Sequence, residues 1–232
     1  MDFINSFLTP VLVWLPRVFF GVVIALASVF YFFILRNPEN PKPYFKRLAF
    51  WSIGFKFFYA LILTLGQYFL WSKDQFGQLF LNQPLKIPSG ISPLEHLPLF
   101  SDSGIGYFLF YSWGHFWLNA IWSVIIALVF WFFLKVLQKK EARFFYPGET
   151  ELGFVLMLAV GWPNLVVFLP LAFLAVVLIS LFRMIFMKEA YTTIGWPFIL
   201  AAAATFVFGQ AIIGNLNLEL LKISLSALPA LG

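Results

Sequence analysis

The chain has 232 residues, of which 62% are hydrophobic, 21% aromatic and only 11% charged. Soluble domains carry about 25% charged residues, and one soluble core of this size has no room for so much apolar surface. A soluble globular fold and a disordered chain are both excluded, which leaves a polytopic membrane protein. The net charge of +5 reads as cytoplasmic loop bias. Nucleic-acid patches and glycine-rich phosphate loops are absent from the sequence. Zero cysteines exclude disulfides, thiolate metal sites and cysteine nucleophiles.

Hydropathy predicts a single integral membrane domain over residues 1–232. The expected fold class is all-α, a polytopic transmembrane helical bundle of about six spans: 11–35, 48–71, 104–134, 152–162, 164–186 and 194–213. The first run has no basic region before it and no small-residue cleavage pattern after it, so it reads as a retained span. The third, at 104–134, exceeds the ~20 residues one crossing needs; it is one tilted helix or a re-entrant piece followed by a helix. The fourth and fifth meet at Gly161-Trp162-Pro163-Asn164, where a residue before proline leaves helical geometry.

Loop charge orients these spans. Arg36, Lys42, Lys46 and Arg47 follow the first; Lys135, Lys139, Lys140 and Arg143 follow the third; Arg183 and Lys188 follow the fifth. Six crossings with the N-terminus outside put all three basic loops on the cytoplasmic side. The longest polar connection runs from Ser72 to Ser103, and Pro84, Pro88, Pro93 and Pro98 argue against one regular helix through it.

The informative segment is Phe144-Phe145-Tyr146-Pro147-Gly148-Glu149-Thr150-Glu151-Leu152. Two carboxylates stand where a basic loop enters an apolar helix. Acids favour a helix N-terminus because of the dipole, so simple capping is one reading. The other is a carboxylate at the membrane–water boundary whose pKa rises by desolvation, as acid–base chemistry requires.

Gly148-Glu149-Thr150-Glu151-Leu152, then Gly161-Trp162-Pro163, then Trp196-Pro197-Phe198-Ile199-Leu200, and Gly209 with Ile212-Ile213 resemble the second half of the type IV prepilin peptidases, intramembrane aspartic peptidases. The resemblance covers about Asn119 to Ile213. It implies cleavage of a pilin-like precursor's leader at the boundary of a prokaryotic cytoplasmic membrane, with pilin-like precursors or pilus and secretion assembly proteins as partners and no cofactor or metal. Glu149 takes the place of the family's catalytic Asp, and Glu151 that of the following Lys. Gly148, Glu151, Gly161, Trp162 and Pro197 are the supporting motif positions. The family's second Asp would fall at Leu81, beside Asn82, and the nearest preceding acid is Asp74. An aspartic peptidase needs two carboxylates sharing one proton. With the Asp pair not preserved, a catalytically inactive relative that binds pilin-like helices or assembly partners is the alternative.

Other polar groups leave room for an unrelated membrane transferase or transporter. His115 and Lys56 lie within apolar runs, where an ionisable residue is a functional hypothesis. Gly104 to Tyr111 locally resembles a stretch of the prolipoprotein diacylglyceryl transferases. His96 beside Glu95, with Asp102 nearby, is a weak metal-site candidate without a third clear ligand; a solvated loop is the other reading.

Overall fold

A computed structural model describes residues 2–36, 42–84, 104–188 and 193–218. Glu95, His96 and Asp102 lie outside the described residues. The described part is all-α: α1 (Asp2–Arg36), α2 (Lys42–Lys73), α3 (Gln75–Leu81), α4 (Gly106–Ser112), α5 (Leu118–Lys140), α6 (Glu149–Val160), α7 (Leu165–Phe182) and α8 (Gly195–Asn215). A π-helical turn, Trp113–Trp117, joins α4 to α5, and another, Arg183–Met187, continues α7.

Among the described residues, five stretches are long and apolar enough to cross a membrane: Val11–Arg36, Tyr44–Lys73, Gly106–Lys140, Leu165–Met187 and Gly195–Asn215. The long third run is thus continuously helical from Gly106 to Lys140, with a π-turn inside it. Several cations read as loop charges are helical: Lys42, Lys46 and Arg47 open α2, and Lys135, Lys139 and Lys140 close α5. Lys and Arg are good helix formers, so basic residues near a span's end continue the helix.

The segment expected as a span at 152–162 is α6, and it differs from the rest. Its 12 residues rise only about 18 Å, against a hydrocarbon core of ~30 Å. It is buried on every side, from Glu149 to Val160 with Phe154 alone partly open. A helix that is apolar all round belongs inside a bundle, and α6 packs against α1, α7 and α8. At Gly153 an added Cβ would lie 2.7 Å from a Leu134 methyl and 3.0 Å from the Phe198 ring, so the glycine sets how closely α5 and α8 approach. Gly161 ends α6 at φ 67°, a conformation glycine adopts without Cβ strain. The Trp162 N–H then donates to Ser123 Oγ on α5 at 2.8 Å.

The chain divides into two compact units. The first comprises Met1–Phe55 and Trp122–Glu219, the second Lys56–Ile121 and Leu220–Gly232. In the first, Ala27, Tyr31, Phe45, Ala127, Leu152, Phe168 and Ala202 are fully enclosed around α6. In the second, Trp71 gathers Phe80, Tyr107, Phe108 and Tyr111 at ring separations of 5.0–6.3 Å, and Trp117 Nε1 donates to Thr64 Oγ1 at 3.0 Å.

Candidate functional site

The chain turns into α6 through Pro147 and Gly148. Gly148 sits at φ 92°, in left-handed space that favours glycine, and its carbonyl accepts from the Leu152 N–H at 2.9 Å. The turn delivers Glu149 into the protein interior, with none of its surface exposed.

Three hydrogen bonds hold this carboxylate. Oε1 accepts from the Tyr31 hydroxyl at 2.5 Å and from the Gly195 N–H at 2.9 Å. Oε2 accepts from the Tyr146 N–H at 2.8 Å. The donors come from α1, from the start of α8 and from the loop before α6, so one side chain ties three segments distant in sequence. Tyr31 also lies 3.4 Å from Thr193 Oγ1, and its ring stands edge-on to Trp196. An added Cβ at Gly195 would overlap the Tyr31 ring; only glycine brings the α8 backbone this close. Pro197 is buried in the first turn of α8, where the missing N–H costs no helical hydrogen bond.

Among the described residues, neither a cation nor a second carboxylate touches Glu149. Burial pushes its pKa up; the hydrogen bonds from Tyr31, Tyr146 and Gly195, with the nearby Thr193 hydroxyl, act the other way without cancelling the shift. The N–H donors are Gly195 at the positive end of α8 and Tyr146 just before α6, where a negative charge is favoured.

Glu151, two residues on, is in the opposite state. Lys135 Nζ on α5 lies 2.8 Å from Oε1, and Thr150 Oγ1 donates to Oε2 at 2.7 Å. Burial alone would raise the Glu151 pKa, but the bonds from Lys135 and Thr150 outweigh it and hold the carboxyl below its usual range. Adjacent acids with pKa values pushed apart are the pattern that acid–base sites use, although here each acid has its own set of partners.

The remaining sequence candidates sit elsewhere. Asp74 belongs to the second unit and is the N-cap of α3, accepting from the Gly77 N–H at 3.1 Å. This is the ordinary work of an N-cap carboxylate. His115, also in the second unit, lies in the π-turn with Nδ1 3.0 Å from the Tyr111 carbonyl oxygen, its ring stacked on Tyr111 at 4.0 Å. Lys56 is half-buried within the α2 span. Among the described residues, no group of three or more His, Asp or Glu side chains is placed to hold a metal.

Structure therefore joins Glu149 with Gly148 and the α8 start that carries Pro197, and it adds Tyr31 and Gly195, which sequence reasoning did not single out. Tyr31 looks like one more interfacial aromatic in an apolar run. Gly195, directly before the Trp196-Pro197 motif, was the nearest available signal. Lys135, by its place after the third apolar run, reads as a loop charge, whereas it lies within α5. Compared with protein-family models, curated proteins and solved structures, the chain matches none.

Proposed function

We propose that the protein is a prepilin-peptidase-like membrane protein that binds pilin-like helices or assembly partners without cutting them. The observation that carries this reading is the state of Glu149. Its carboxylate is fully enclosed, and both oxygens already accept hydrogen bonds from three chain segments. A hydrolytic carboxylate must reach a water and a scissile amide, within about 2.6–3.2 Å of the proton it moves. Glu149 instead cross-links the bundle, and its position in the peptidase-like motif serves architecture.

Cleavage is the second reading, and the raised pKa of Glu149 favours it, because a carboxyl kept protonated is the form a general acid needs. That reading requires a partner carboxylate, for which Asp74 is the sequence candidate. Its N-cap hydrogen bond to Gly77 gives Asp74 a structural task already.

The test is to incubate the purified full chain in nanodiscs with a co-encoded pilin-like precursor, wild type beside Glu149→Gln. Intact precursor captured by photo-crosslinking to the wild type is the expected result. Cleavage by wild type that disappears in a folded Glu149→Gln protein would overturn the binding reading in favour of catalysis. Neither cleavage nor crosslinking with any such precursor would overturn both.

A further inference from the structure

Within the first unit, an apolar groove of about 410 Å³ runs between α5 and α7, floored by Phe198 and closed at one end by Phe144 and Phe145. The volume falls in the ~300–1,000 Å³ range of ligand sites. On α5 its wall is Phe130, Phe133 and Leu137; on α7 it is Leu169, Phe173, Val176 and Ser180. Both walls follow helical three- and four-residue steps, so each is a single stripe. The next step along the α5 stripe is Lys140, and the next along the α7 stripe is Arg183. Both helices therefore lead an apolar wall to a cation at the same, basic end. Ser180, the polar lining residue, sits at that end too.

Among the described residues, Glu141 is paired with Arg143 at 3.1 Å. Arg143 lies 4.9 Å over the ring of Phe144, a groove wall.

The length of the groove selects its occupant. From Leu169 to Ser180 the α7 wall rises about 16 Å, roughly half of the ~30 Å hydrocarbon core. That is the depth of one leaflet, and it fits one acyl chain. A spanning helix would need a seat along the full core, and its ~10–12 Å diameter calls for a wider trough. We infer that the groove holds one acyl chain of an anionic phospholipid, with Lys140 and Arg183 receiving the phosphate headgroup. Basic residues between transmembrane helices on the cytoplasmic side recognise anionic headgroups in this way. The inference is independent of whether the protein binds or cuts pilin-like chains.

Native mass spectrometry of the detergent-purified full chain, titrated with dioleoyl phosphatidylglycerol against dioleoyl phosphatidylcholine, tests it. The wild type is expected to prefer the anionic lipid. Each stripe cation should contribute about 5-fold, from the ~1 kcal/mol per basic residue near a membrane surface. Lys140→Gln with Arg183→Gln should bring the two lipids near parity, whereas Lys139→Gln, off the stripe, should change the preference little. Val176→Trp, which fills the groove, should reduce binding of both lipids; if that protein fails to fold, Leu137→Trp fills it from the half-exposed opposite wall. Inorganic phosphate at millimolar concentration should not compete. Equal binding of both lipids by the wild type would overturn the site. So would equal losses for Lys139→Gln and Lys140→Gln, which would mean diffuse surface attraction. Undiminished binding in a folded groove-filled variant, or competition by phosphate alone, would remove the acyl-chain seat.

Discussion

Glu149 in the first unit and the polar groups Asp74 and His115 in the second are held by different kinds of contact. Glu149 in the first unit bonds to Tyr31 and Gly195, 118 and 46 residues away. Asp74 and His115 in the second unit bond to backbone three and four residues away. The same chemistry, a side chain answering a backbone or hydroxyl group, thus closes a bundle in one place and finishes a turn in the other. Local bonds form once their own helix forms. A long-range buried bond is made only if the whole unit assembles, and losing it strands every partner at once.

Breaking the long-range knot should have the largest effect. Glu149→Ala leaves the Tyr31 hydroxyl, the buried Gly195 N–H and the partly buried Tyr146 N–H without their acceptor, a loss of about 3–5 kcal/mol in total at ~1–3 kcal/mol for each unsatisfied group, discounted for relaxation and partial exposure. Thermal unfolding in detergent reads this directly. Full stability in Glu149→Ala would show that the three bonds do not hold the unit together.

Gly195→Ala should come next. Its methyl meets the Tyr31 ring, and overpacking a fitted contact costs about 1–3 kcal/mol. A paired Tyr31→Ala, which vacates the space, should recover part of the close approach of α8 while losing the hydroxyl bond. Non-additive stabilities for the two changes are expected; strict additivity would contradict direct contact.

The two glutamates sharpen the comparison through pH. Glu149 has a raised folded pKa, so its favourable contribution is complete below the unfolded value of ~4.3 and is lost as pH rises through the folded value. Glu151 has a lowered one, so its contribution is present above ~4.3 and is lost as pH falls through its folded value. Glu149→Gln should therefore remove a loss on the rising side, and Glu151→Gln a loss on the acid side, in melting curves recorded across pH. Identical pH profiles for both variants would refute the opposite assignments.

Smallest of all should be Asp74→Ala. An exposed N-cap is worth about 0.5–1 kcal/mol, the lower half of the usual range. Hydrogen exchange at α3 is the fitting probe, because the damage should stay in that short helix. A loss of stability equal to that of Glu149→Ala would mean that Asp74 has partners beyond its cap.

The all-helical class was legible from the residues. Apolar runs of about 20 or more form helices fit to cross lipid because backbone groups in hydrocarbon must pair within their own segment; the helix ends were less legible, since α1 begins at Asp2, α2 at Lys42 and α5 runs on to Lys140. The turn at Gly161–Asn164 was marked by its proline, and the importance of Gly148 and Glu149 by their place between a basic loop and an apolar helix. The partners were not legible. Tyr31, Gly195 and Lys135 lie 118, 46 and 16 residues from the acids they meet, and nothing in local composition separates them from neighbouring aromatics, glycines and boundary cations.

Sequence alone determined that this is a helical membrane protein and where its scarce acids stand along the chain, because hydropathy and charge act residue by residue. Tertiary structure alone decided that α6 is an enclosed half-length helix and not a span, and that Glu149 is a cross-link. Both follow from which surfaces surround a residue, and a carboxylate's protonation and role depend on its burial and its donors, which only the assembled helices supply.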